Sequence, residues 1–300
     1  MNAMKLAVPL FVALAYGPAQ GLAVPILGAD LASFAVSGHT TVTNVPTSTI
    51  VGNVGVSPGE ALPGFNFVAG TATADPQVNA GAPGSVHSNT ALAQSAQAQL
   101  TTAKTNLGLL GPGTLLPVDL VGLTILPGVY TVPAGTTNLS GAVTLDGGGD
   151  ADAFWLLQTD ALTTASGSVV NVINTGTGAG VFWNDASSVT LGSTTSFQGY
   201  ILALTSITLV TKATIGCGGA YADTGAVTLD MNTIGTGCGV GINLSGGGLD
   251  FVAGSNVVVD ATGTIVSVPG ALVPEPGTLM LLGFGLAGLF TFRKRLFPVA

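Results

Sequence analysis

SVTLGSTTSFQG at Ser188 to Gly199, SITLVTKATIG at Ser206 to Gly216 and AVTLDMNTIG at Ala226 to Gly235 repeat one pattern. Aligned on Thr190, Thr208 and Thr228, the copies recur after 18 and then 20 residues, and a fainter copy, GAVTLDG, lies at Gly141 to Gly147. A unit this short cannot bury its own apolar side, so each copy must lean on the next. Stacked turns of a β-solenoid meet that need.

Each copy alternates with period two. Val189 and Leu191, Ile207 and Leu209, and Val227 and Leu229 are expected to point inward. That leaves Ser188 and Thr190, Ser206 and Thr208, and Ala226 and Thr228 pointing outward, with Ala142 and Thr144 in the same slots. Stacking would then lay a file of threonines beside a file of Ser or Ala. The later halves give a second file: inward Phe197, Ile215 and Ile234 leave Ser196, Thr214 and Thr233 outward, with the less uniform Thr194, Lys212 and Met231 as companions. A second, more aromatic run accompanies the repeats: AFWLLQ from Ala153, GVFW from Gly180, GYILAL from Gly199 and GAYA from Gly219. Each coil thus has at least two recognisable walls.

Between Asn89 and Leu107, Leu92, Ala96, Leu100, Ala103 and Leu107 form one apolar stripe at helical spacing. Ser88 or Asn89 can cap its start, and Gly108 stands where a left-handed residue would end it. Such a rod is about 27 Å long, the height of about five or six stacked strands. It is expected to cover one side of the solenoid; an independent helical interaction element is the alternative. Upstream, short strands are expected near Phe34 to Ala35, Thr41 to Thr43 and Ile50 to Val56.

Residues 1–23 have the order of a secretory signal, with Lys5, an apolar run from Leu6 to Tyr16 and small residues at Gly21 and Ala23. A buried N-terminal helix is the alternative. Without that segment and the C-terminal Arg293, Lys294 and Arg295, only Lys104 and Lys212 face the thirteen acidic residues between Asp30 and Asp260. Such a chain cannot neutralise phosphates, which argues against nucleic acid as a partner. Low charge with abundant Thr, Val and Gly fits a β-rich extracellular protein.

Little here suggests catalysis. His39 and His87 sit in turn-like settings outside any nucleophile motif. Asp146, Asp150 and Asp152 do not follow an EF-hand spacing and read as turn residues, so no metal, cofactor or catalytic residue is expected. Cys217 and Cys238 are almost one repeat apart, which would stack them at a rung spacing a disulfide tolerates. A pair of buried free thiols is the alternative.

From Gly277 to Phe292 runs an uncharged segment, preceded by Val273, Pro274, Glu275 and Pro276 and followed by Arg293, Lys294 and Arg295. This ending resembles a PEP-CTERM sorting tail. The resemblance implies a hydrophobic C-terminal helix in the membrane until an exosortase removes it; a plain membrane anchor would share its topology.

The body from about Ala29 to Thr236 resembles the bacterial and fungal ice-binding-like family. The pieces that carry this are LGADLASFAVSG, VGNVGVSPG at Val51 to Gly59, AQAQL at Ala96 to Leu100, LPGVYTV at Leu126 to Val132, LTTASGS at Leu162 to Ser168 and ILALTSITL from Ile201. The resemblance implies a mainly β fold, a discontinuous β-solenoid with one long helix packed along it. It also implies adsorption to ice through a flat face.

The expected layout is a signal at 1–23, the solenoid at 24–240 with its helix at 89–107, an edge or linker segment at 241–272 and the sorting segment at 273–300. The expected function is secreted or surface-attached ice binding. Its first-choice face is Thr144, Ser188, Thr190, Ser206, Thr208, Ala226 and Thr228, and its second choice Ser196, Thr214 and Thr233. The partner would be an ice crystal surface, or an extracellular polymer if the chain is a matrix or adhesion protein without ice affinity. A carbohydrate-active solenoid enzyme is the weakest reading.

Overall fold

Branched apolar residues alternating with small polar ones make strands with one dry side, and Gly-, Ser- and Asn-rich turns swing the chain on to the next wall. The computed structural model describes residues 23–45, 47–79, 84–133, 135, 138–236, 244–246, 249–252 and 258–260. The protein is mainly β, and most of its ladders are parallel.

Three ladders run side by side. The first contains, in spatial order, Val86–Ser88, Asn53–Val56, Phe34–Gly38, Thr214–Ala222, Ser196–Ala203, Gly180–Asp185, Phe154–Thr159, Gly128–Thr131 and Thr114–Leu115. The second is Leu162–Thr164, Val189–Leu191, Ile207–Leu209, Val227–Asp230 and Val42–Val45. The third joins Thr124–Ile125, Ala142–Asp146 and Val169–Ile173 to the leading ends of Ser196–Ala203 and Thr214–Ala222, then to Thr233–Gly235 and Thr49–Val51. Successive strands visit the first, second and third ladder in that order, so one circuit of the chain makes one rung of each.

Stacking is not in chain order. Phe34–Gly38, Val42–Val45 and Thr49–Val51 pair with Thr214–Ala222, Val227–Asp230 and Thr233–Gly235. The earliest circuit therefore rests on the last of the repeats. Ser196–Ala203 and Thr214–Ala222 each pass from the third ladder to the first without a break, and their register shifts between Phe197 and Gly199. The crossing is tight: Gly218 has φ +150°, and a Cβ there would lie 1.9 Å from the Gly199 carbonyl oxygen.

Packing follows from the alternation. On the first ladder Trp155, Leu157, Trp183 and Ile201 are fully buried. The indole N–H groups of Trp155 and Trp183 donate to the Ile125 and Gln198 carbonyls at 3.1 Å, tying that ladder to the third. Phe154, Phe182, Tyr200 and Tyr221 form a column with ring centroids 5.9–6.2 Å apart. Each contact of this kind contributes about 0.5–1.5 kcal/mol beyond burial.

The long helix spans Ala91–Gly108 and buries Ala93, Ala96, Gln97, Leu100, Ala103 and Leu107. Leu92 is only partly buried at the margin of this stripe. Its caps differ from expectation. Thr90, not Ser88 or Asn89, is the N-cap, and its Oγ1 accepts from Ala93 N–H at 3.2 Å. Gly108 is the last helical residue and Leu109 ends the helix in the right-handed region; the first positive φ comes at Gly111. Replacing Thr90 with Ala should lower the unfolding free energy by about 1 kcal/mol, read as a shifted urea midpoint at unchanged slope.

The run Ile50 to Val56 is two strands rather than one. Gly52, at φ +128°, breaks it so that Thr49–Val51 joins the third ladder and Asn53–Val56 the first. At the start of the described chain, Ala23–Pro25 pairs antiparallel with Leu249–Val252, which pairs with Val258–Asp260. The expected signal up to residue 22, Cys238 and the apolar tail with Val273 to Pro276 and Arg293 to Arg295 lie outside the described residues. Among those described, no helix is long and apolar enough to cross a membrane.

Candidate binding face

The second ladder puts one threonine of each strand in register with the next. Thr163 stands opposite Thr190, Thr190 opposite Thr208, Thr208 opposite Thr228 and Thr228 opposite Thr43. All five are half-buried, and the residues on either side of each are buried. Leu162, Val189, Ile207, Val227 and Val42 hold the strands from within at no more than 1% exposure. The threonines therefore present hydroxyl and methyl groups from a rigid base.

One step earlier on each strand lies a parallel file: Ala161, Ser188, Ser206, Ala226 and Thr41, again all half-buried. Backbone bonds from Val189 N–H to Ser206, Ile207 N–H to Ala226 and Val227 N–H to Thr41 keep it in step at 2.9–3.0 Å. The two files form a grid with repeats of about 4.8 Å between strands and about 6.7 Å along them. No residue of either file carries a charge. Thr43, Thr41 and Thr163 escaped the sequence reading, because their strands do not carry the repeated motif.

Thr144 does not belong to this grid. It pairs with Thr124 and Asn171 on the third ladder. In its circuit the second ladder is crossed by Asn138 and Leu139 instead: Leu139 bridges Thr164, and Thr163 N–H donates to Asn138 Oδ1 at 3.2 Å. GAVTLDG mimics the repeat because dry-inside alternation looks the same on any wall.

Ser196, Thr214 and Thr233 do form an outward file on the third ladder, continued by Thr49. Its other members are Ala142 and Val169, and the neighbouring file runs through Thr144, Asn171, Gln198, Gly216 and Gly235. This face is chemically mixed. Thr194, Lys212 and Met231 are not its companions but corner residues, all left-handed at φ 53–59°, together with Thr47 at 68°. That backbone is uncommon for such residues and turns their side chains off the face, at the corner. Behind it, Asn232 Nδ2 donates to the Val210 and Ala213 carbonyls at 3.0 Å, and Thr164 and Thr195 share a hydroxyl contact of 2.8 Å.

Asp230 stands at the rim of the grid, two residues beyond Thr228 on the same strand, and its carboxylate accepts from the Thr211 hydroxyl. Asp146, His87 and Lys104 lie off this ladder. Asp146 accepts from Gly148 N–H and Asn174 Nδ2, which lower its pKa, so it fastens a turn. His87 packs edge-on against Phe34 with its Nδ1 3.1 Å from Thr90 Oγ1, and burial lowers its pKa. Among the described residues, no three His, Cys, Asp or Glu side chains gather as a metal ion would require. Cys217 is 4% exposed, and no described cysteine is a free thiol.

One cation is held deep. Lys104 Nζ donates to Asn184 Oδ1, the Asp185 carbonyl and the Leu202 carbonyl at 3.0, 2.9 and 2.7 Å. Burial lowers its pKa to about 8 against the pull of Asp185 and Asp223. Asp185 is fully buried; its Oδ1 accepts from the Thr159 hydroxyl, while Oδ2 has no hydrogen-bond partner. Burial pushes this carboxyl up to about 7, although Thr159 and Lys104 favour the charged form.

Comparison with known proteins places this geometry among relatives. Residues 36–235 match the family model described as ice-binding-like, and residues 272–295 match the PEP-CTERM protein-sorting motif. An ice-binding protein of Nostoc sp. (strain HG1) is 40% identical over 222 residues, covering 73% of this chain and 77% of its own. An ice-binding protein of Flavobacterium frigoris (strain PS1) is 35% identical over 210 residues, covering 68% and 73%. The crystal structure of an ice-binding protein from an Antarctic biological consortium superposes with a TM-score of 0.59 at 30% identity, covering 78% of this chain and 96% of that one.

Proposed function

The chain belongs to the ice-binding-like family, and from that premise we propose that it is a secreted or cell-surface protein that binds ice through its second ladder. The observation that carries the choice of face is the five-threonine file Thr163, Thr190, Thr208, Thr228 and Thr43 beside the small file through Ser188, Ser206 and Ala226. Methyl and hydroxyl groups repeating at fixed intervals can hold a sheet of ordered water, and a rigid base loses little entropy on adsorption. Charged side chains would keep their own hydration, and the grid has none.

In this reading the three ladders are the walls of a discontinuous β-solenoid and the long helix flanks the first. The protein acts as a binder, without chemistry. The N-terminal segment 1–23 directs export, 24–240 is the solenoid body, 241–272 is an edge segment, and 273–300 holds the chain in the membrane until an exosortase-type enzyme acts. The sorting motif at 272–295 supports delivery to the surface. Cys217 pairs with Cys238 across one rung. Thiol titration of the unreduced, denatured protein should then find no reactive thiol, and two after reduction; two before reduction would sink the pairing.

The test is thermal hysteresis and ice recrystallisation measured on the purified wild-type chain. Growth arrest or faceting of ice crystals supports the assignment. No effect on ice would leave a structural role at the cell surface or in extracellular polymer as the reading of the same fold.

A further inference from the structure

Three polar side chains of the long helix, Gln97, Thr101 and Lys104, grip the same end of the first ladder, whereas Ser95 and Gln99 hold Asp30 and Leu31. Gln97 Nε2 donates to the Ala222 and Asp223 carbonyls at 3.0 and 2.9 Å, while its Oε1 accepts from Ser37 Oγ at 3.1 Å. Thr101 Oγ1 donates to Asp223 Oδ1 at 2.7 Å. Lys104 holds Asn184, Asp185 and Leu202. These contacts fall at the trailing ends of Phe34–Gly38, Thr214–Ala222, Ser196–Ala203 and Gly180–Asp185, four adjacent strands. Four or five residues later each chain enters the second ladder, at Val42, Val227, Ile207 and Val189.

The spacings agree. Gln97 sits between the strands that end near Ser37 and Ala222, and Lys104 between those that end near Leu202 and Asp185. The two pairs are two rungs apart, about 9.6 Å. Gln97 and Lys104 are seven residues apart on one helix face, a rise of about 10.5 Å. A helix is stiff along its axis, whereas a rung can tilt or slide.

We propose that Gln97 and Lys104 are positioning residues for the threonine grid: the helix is a ruler that fixes the rise between its rungs. This role rests on the ice-binding reading above. It also accounts for a glutamine in the buried stripe and a half-buried lysine beside it, where apolar residues would bury the helix equally well but could not hold strand ends at a set height.

Lys104→Met and Gln97→Met keep the bulk and remove the grip. Residue-resolved amide exchange should show Lys104→Met speeding exchange about tenfold at Val189 and Ile207, with Val227 near wild type. Gln97→Met should do the reverse, loosening Val227 and sparing Val189. Thermal hysteresis, measured near freezing where both variants are folded, should fall severalfold in each. Exchange that rises evenly over all ladders, or not at all, would reduce the two residues to general glue. Local loosening with full hysteresis would also overturn the proposal. A wild-type chain inert towards ice defeats the functional reading instead, and the exchange pattern then still decides whether the helix sets the rungs.

Discussion

The double substitution Thr190→Tyr and Thr208→Tyr is expected to abolish thermal hysteresis while the protein stays folded. Both threonines are half-exposed neighbours in the middle of the five-residue file. Two phenol rings standing off adjacent rungs would hold a flat ice surface away from Thr163, Thr228 and Thr43 as well. Each 1.4 kcal/mol of lost adsorption is tenfold in affinity, so losing the central contacts should cost well over tenfold. The fold should tolerate the change, since tyrosine suits strands and these side chains point away from the core. Circular dichroism melting would confirm that. The counterpart, Thr214→Tyr with Thr233→Tyr on the third ladder, should keep its hysteresis. The opposite pattern would move the face to the third ladder.

The second large effect concerns Asp185. In the unfolded chain its carboxyl ionises near 3.8, whereas burial in the fold raises that to about 7. Between those values the folded state holds a proton that the unfolded state has released. The contribution to stability is therefore full below about pH 4, is lost as pH rises towards 7, and stays lost above it. Asp185→Asn keeps the shape and removes the ionisation. Wild type and variant should have nearly equal stability at pH 4, and the variant should be more stable by about 2–4 kcal/mol at pH 8. Urea unfolding at the two pH values measures this directly. Profiles that run parallel would show that the buried carboxyl is relieved by something other than its proton.

What could be read from the sequence was what a period of two and a repeat near twenty encode. The inward Val, Leu and Ile positions, the outward Thr190, Thr208 and Thr228, and the aromatic runs of the first ladder all come from that alternation. The alternation does not say which wall a strand joins, and so Thr144 was set beside Thr190 although it faces another way. Nor does it reveal neighbours brought from far along the chain: Thr43 extends the file beyond Thr228, but its strand VTNV carries no copy of the repeat. The helix was legible from its apolar stripe, yet Gln97 and Lys104 looked like ordinary polar positions until their partners were in view. Asp185 gave no signal, because its burial depends on the strands above and below it.

The early circuit that rests on the last repeat also governs when the molecule can form. A chain emerges from the ribosome N-terminus first, so Phe34–Gly38, Val42–Val45 and Thr49–Val51 exist long before the strands they lie against. Such pairing between remote stretches is slow to close. Until Val227–Asp230 has appeared, Thr43 has no rung to extend, and the partial chain exposes bare strand edges that invite mispairing with its neighbours. The stack of circuits is thus completed almost from its far end, and a truncation that removes Thr214 to Gly235 should leave Phe34–Gly38, Val42–Val45 and Thr49–Val51 without the rungs they rest on.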